Sequence, residues 1–92
     1  MAKSSKPDVD DVRYSHQRTK VIFAAIESVA NEEGVSFVEM DFDAKRSWLN
    51  DRMREVVERA IAFGGSGYEN LRDFHIFVVE SNGSAVLYFE RV

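Results

Sequence analysis

Ninety-two residues, 45% hydrophobic and 30% charged, fit one folded domain with a single modest core, too short for two domains and too apolar for general disorder. With no cysteine, disulfides and thiolate metal sites are excluded, and a reducing compartment is the natural expectation. The net charge of −4 hides no basic block, since residues 44–73 carry six bases against five acids, so broad phosphate-tracking along a duplex is not expected.

Residues 1–11, with Pro7 and three aspartates, read as a polar tail, leaving 12–92 as the domain. They contain no apolar run that would serve as a signal peptide, and Val21 to Ile26 is too short to span a bilayer, which points to the cytoplasm. A first helix is expected after an N-cap at Asp10 or Asp11. Val12, Thr19, Ile22, Phe23, Ile26, Val29 and Ala30 give it an apolar stripe, and Gly34 stands where a left-handed residue ends a helix.

Val35 to Asp43 alternates with period two and predicts a strand. Val38, Met40 and Phe42 fall on one face, and Val35, Phe37, Glu39, Asp41 and Asp43 on the other. Three carboxylates would then form an acidic ladder with steps of about 7 Å. Such a ladder either blunts a sheet edge or meets a basic surface on a protein partner, including a nucleic-acid-handling complex. Hard cations need oxygens converging from several directions, and carboxylates in a row on one strand point in parallel. No metal or other cofactor is expected.

A second helix should follow, capped by Asp43 and running to about Phe63. Leu49, Met53, Val56, Val57, Ala60 and Ile61 would face inward, with Trp48 at one margin. Gly64-Gly65-Ser66-Gly67 closes this helix instead of opening one and is followed by Tyr68, which separates it from phosphate-binding loops. The remainder is a hairpin around Asn82-Gly83, the dipeptide of a two-residue type I′ turn. That turn sets Phe77 against Tyr88, Val79 against Val86 and His75 against Glu90. On the other face Val78 meets Leu87, Ile76 meets Phe89 and Phe74 meets Arg91.

The expected fold is α+β in the order α-β-α-β-β, with a three-stranded, mostly antiparallel sheet packed with two helices. A right-handed crossover would join the first two strands, with the third inserted between them. Both hairpin faces are apolar. Either each takes one helix, or both helices share a face and leave Phe37, Phe77, Val79, Val86 and Tyr88 to a partner chain or a second copy.

The functional reading that follows is a small non-catalytic protein–protein interaction module, of the inhibitor or regulator kind made by bacteria and phages. Its contact residues would be Glu39, Asp41, Asp43, Phe37, Phe77, Tyr88, His75 and Glu90. Two other readings compete with it. Lys45, Arg52 and Arg59 recur every seven residues near Trp48, a basic margin that would suit direct nucleic-acid contact. His75 beside Glu90 would suit a small enzyme, although no nucleophile setting accompanies the pair. Finally, Lys45 and Arg46 start a helix while Glu27, Glu32 and Glu33 lie toward the end of one, opposing the helix dipole at both places.

Overall fold

The computed structural model describes residues 17–92 in full, together with the span of the helix that leads into them. The order is α1 (Ala2–Glu33), α2 (Phe42–Asp51), α3 (Met53–Gly64), a 3₁₀ turn (Glu69–Asp73), β1 (Phe74–Ser81) and β2 (Ser84–Arg91). The expected tail at 1–11, the proposed caps at Asp10 and Asp11, Val12 and His16 lie outside the described residues.

On α1, Ile22, Ala25, Ile26, Val29 and Ala30 are buried at i, i+3, i+4 and i+7 spacings. Gly34, at φ 76°, turns the chain out of the helix. Its N–H donates to the Asn31 carbonyl at 3.1 Å and that of Val35 donates to the Ala30 carbonyl at 3.0 Å, the two bonds of a Schellman cap.

The expected strand at 35–43 is not formed, and with it the three-stranded sheet and the crossover fall away. The sheet has two strands only, β1 paired antiparallel with β2. Residues 35–41 instead make turns, with the Glu39 N–H donating to the Ser36 carbonyl and that of Met40 to the Phe37 carbonyl. Alternation favours a strand only where a neighbour offers a ladder, and here burial of one side chain outweighs it. Phe37 is 2% exposed, packed between Phe23 and Trp48 with ring centroids at 6.4 and 5.6 Å.

The single long second helix is also corrected, because it breaks at Arg52 (φ −117°, ψ 20°) with no glycine or proline nearby. The break has a tertiary cause. Arg52 Nε donates to Glu33 Oε2 at 2.5 Å, NH1 donates to the Trp48 carbonyl at 3.2 Å, and the guanidinium lies 4.7 Å from the Trp48 ring centre. The Trp48 indole N–H donates to the other Glu33 oxygen at 3.0 Å. One carboxylate at the end of α1 therefore clamps both sides of the α2–α3 kink. On either side of the break, Trp48 and Leu49 of α2 and Val56, Val57 and Ala60 of α3 enter the same core. At the far end of α3, Gly64 is bare because the Tyr68 ring lies where a Cβ would stand.

The hairpin forms as its turn dictates. Asn82 (φ 52°) and Gly83 (φ 80°) occupy the positive-φ positions, and the register runs from Ser81–Ser84 to Phe74–Arg91 with no bulge. Ile76 and Val78 complete the core beneath the helices.

The clamp makes an acid-stability prediction. Hydrogen bonding and charge from Arg52, with the Trp48 N–H, hold the Glu33 carboxyl below its ordinary value of 4.5. A folded-state value below the unfolded one means this contribution is present above about pH 4.5 and is lost as pH falls through the lowered value. Glu58 is shifted the same way by Arg72, so the informative quantity is the difference between variants. Glu33→Gln is expected to be less stable than the native chain at pH 7, with the gap closing as pH falls below 4.5 in a urea-denaturation series. Curves that stay parallel would mean that the clamp does not depend on charge.

Candidate functional site

Among the described residues, the helical core packs against one side of the hairpin and nothing covers the other. On the inner side Ile76 and Val78 are buried, whereas on the outer side Phe77 is 37%, Val79 40%, Val86 43% and Tyr88 59% exposed. The register places these four as two facing pairs, Phe77 with Tyr88 and Val79 with Val86. The Phe77 and Tyr88 rings are 6.5 Å apart and tilted. His75 extends the row, its ring centre 4.4 Å from that of Phe77, and it sits opposite Glu90 as expected. Single exposed apolar residues are ordinary on a protein surface, whereas these form a contiguous row on one sheet face.

The row runs into a groove of about 600 Å³ between α3 and the start of β1. Met53, Val57 and Phe74 supply apolar lining and His75 closes one end, with Arg54, Glu58 and Arg72 as the polar members. Its volume falls in the range of small-molecule sites. Its carboxylate is committed, however. Arg72 donates to both Glu58 oxygens at 2.7 Å, and this pairing holds the Glu58 carboxyl below its ordinary range. Glu58 is thus an ionised partner of Arg72 and a poor proton donor near neutral pH. Among the described residues, no serine, threonine or cysteine lines the groove.

The acidic ladder dissolves into three separate roles. Glu39 is exposed on the 35–41 turn, and among the described residues no ion pair engages it. Asp41, not Asp43, is the N-cap of α2, its carboxylate accepting the Ala44 N–H at 2.8 Å. Asp43 lies in the first turn of α2 and pairs with Arg46 at 3.1 Å. Phe37, expected on the outer sheet face with Phe77 and Tyr88, is core. Beside the turn, exposed Val35 and Val38 flank a shallow groove of about 150 Å³ that includes Glu27 and Asn31.

The basic margin is spent inside the fold. Lys45 Nζ donates to the Val38 and Met40 carbonyls at 3.3 and 2.9 Å. Arg52 holds Glu33, and Arg59 donates to Ser28 at 2.7 Å and to the Glu32 carboxylate at 2.9 and 3.1 Å. These contacts account for most of the charges that oppose the helix dipoles: Lys45, Arg46, Glu32 and Glu33 each have an acceptor or donor partner in the chain. Among the described residues no group of three histidine or carboxylate side chains is arranged to hold a metal ion.

Sequence reasoning placed Phe77, Tyr88, His75 and Glu90 correctly relative to one another because a two-residue turn fixes them. It missed Met53, Val57 and Phe74 as groove lining, since helix periodicity assigns the first two simply to the core side. No family model matches the chain, and neither does any curated protein or solved structure.

Truncating a core ring and an outer ring should differ sharply. Phe37→Ala is expected to cost about 3–5 kcal/mol, the usual penalty for a buried aromatic. Tyr88→Ser should stay within about 1 kcal/mol of the native chain, as exposed positions do. Chemical-denaturation midpoints decide it; similar losses at both sites would mean that the outer face is covered.

Proposed function

We propose that this protein is a non-catalytic protein-binding module that engages another polypeptide through the outer face of its hairpin. The observation that carries this reading is the uncovered row His75, Phe77, Tyr88, Val79 and Val86 on a sheet of only two strands. Isolated hairpins are marginal in water, and a sheet with both faces apolar gains by finding a second cover. Aromatic side chains at the centre of such a patch are the residue type that dominates protein interfaces. The committed state of Glu58 and the internal pairing of Arg52 and Arg59 leave less support for an enzyme or a nucleic-acid module.

A regulator or inhibitor suits a chain of this size, whose interaction surface occupies much of one side. Specificity would come from the rim, where Glu90 flanks the apolar row on an acidic protein. A partner with an apolar patch ringed by basic groups is the complementary surface.

A photo-reactive benzophenone amino acid at position 88 tests this in cells that make the protein, with position 50 as an exposed control on α2. The expected result is a discrete adduct with a polypeptide from position 88 only, lost when Phe77→Asp is added. Equal adducts from both positions, or none, would contradict the proposal.

A further inference from the structure

Among the described residues, the inner face is more deeply buried along β1 than along β2. On the inner face, Ile76 and Val78 of β1 are buried, whereas Ala85, Leu87 and Phe89 of β2 are only half-buried. Among the described residues, the core is therefore less complete along β2. Backbone geometry agrees. The Val92 N–H donates to the Asp73 carbonyl at 2.9 Å, which sets the alternation of the ladder. Residues 84, 86, 88 and 90 direct their backbone groups toward β1, and Ala85, Leu87, Phe89 and Arg91 direct theirs away from it. Among the described residues these outward groups have no hydrogen-bond partner, because β2 has one neighbouring strand only. Natural edges are blunted by charged side chains, proline or a bulge, and the stretch from Ala85 to Phe89 of β2 has none of these, its charges Glu90 and Arg91 lying at the end of the strand. A shallow recess of about 250 Å³ between Thr19 of α1 and Leu87, Tyr88 and Phe89 lies alongside.

We infer that a second copy of this chain occupies this edge. β2 pairs antiparallel with its counterpart across a twofold axis, Leu87 facing the partner's Leu87, to build one four-stranded sheet. The inference rests on the reading of the hairpin as a contact surface and names its occupant.

Self-complementarity of the strand selects both occupant and register. Facing residues of an antiparallel pair share a face, so only registers centred on a residue bring like faces together. Centring on Leu87 sets Val86 against the partner's Tyr88 on the outer face, a β-branched side chain against an aromatic one. On the inner face it sets Ala85 against the partner's Phe89, small against large, the arrangement that packs without voids. Glu90 and Arg91 fall beyond the apolar stretch, opposite Ser84 and Gly83. Centring on Tyr88 would press Glu90 onto Val86 and Arg91 onto Ala85. Centring on Val86 would shorten the ladder and set Tyr88 against Ser84. The Leu87 register alone matches apolar with apolar at every central position. It also supplies neighbours to the half-buried Leu87 and Phe89, and it joins the two outer aromatic rows into one surface.

The absence of native cysteine makes the test direct. Val86→Cys and Tyr88→Cys are prepared separately, checked for native circular dichroism, and oxidised alone and as an equimolar mixture. In the Leu87 register positions 86 and 88 face each other in a non-hydrogen-bonded pair, close enough for a disulfide. The mixture should give a covalent dimer joining one copy of each variant, while either variant alone gives little. Such a mixed dimer keeps one intact Val86–Tyr88 contact. Cross-linking of Tyr88→Cys alone, or of Val86→Cys alone, would overturn the register in favour of a neighbouring one. Sedimentation of the unmodified chain should show a dimer, and a monomer at every concentration up to about 1 mM would overturn self-pairing altogether. If the chain is monomeric while position 88 still cross-links to another protein in cells, self-pairing fails and the interaction module stands. If position 88 cross-links to nothing, both fail.

Discussion

A sheet of two strands with apolar residues on both faces needs two covers, and the described part of this chain supplies one. That constraint organises the rest of the molecule. The core is built mainly by the three helices, and β1 joins it through Ile76 and Val78. The same choice leaves Phe77, Val79, Val86 and Tyr88 in solvent and Leu87 and Phe89 half-closed. Surface that would be an ordinary core face in a larger sheet is therefore available for contact, and the hairpin becomes at once the least complete part of the fold and its best candidate site.

α2 and α3 are divided at Arg52, and Glu33 accepts from both Trp48 and Arg52, which ties the end of α1 to that division. Ion pairs with exposed members contribute little individually. This one matters through geometry, because it joins a hydrogen-bonded indole, a stacked guanidinium and a carbonyl that would otherwise lack a partner at a helix end. The Arg59–Glu32 pair, about two helical turns further along the chain, ties α3 to α1 as well.

What was legible in the sequence was what local geometry decides. Asn82-Gly83 set every cross-strand pair because a two-residue turn leaves no freedom in register, and the stripe from Ile22 to Ala30 identified the buried face of α1. What was not legible depends on distant partners. The alternation of Val35 to Asp43 describes a strand only if a neighbour completes its ladder, and Phe37 found a better place beside Trp48. Asp41 and Asp43 were equally good caps on paper, and the start of α2 chose between them. The break at Arg52 has no local signal, since its cause lies 19 residues away at Glu33. Dipole-opposing charges were the nearest thing to a clue, and they proved to mark tertiary pairing.

Amide hydrogen exchange along β2, followed as a function of protein concentration, addresses the open edge most directly. Backbone groups that point toward β1 and away from it alternate along the strand, so neighbouring amides report on different partners. The amides of Val86 and Tyr88 should be protected at every concentration, as members of the hairpin ladder. Those of Leu87 and Phe89 should exchange freely in dilute protein and become protected as concentration rises. Protection of Leu87 and Phe89 at the lowest concentration would show that the chain covers its own edge, and free exchange at the highest would show that no second copy fills it.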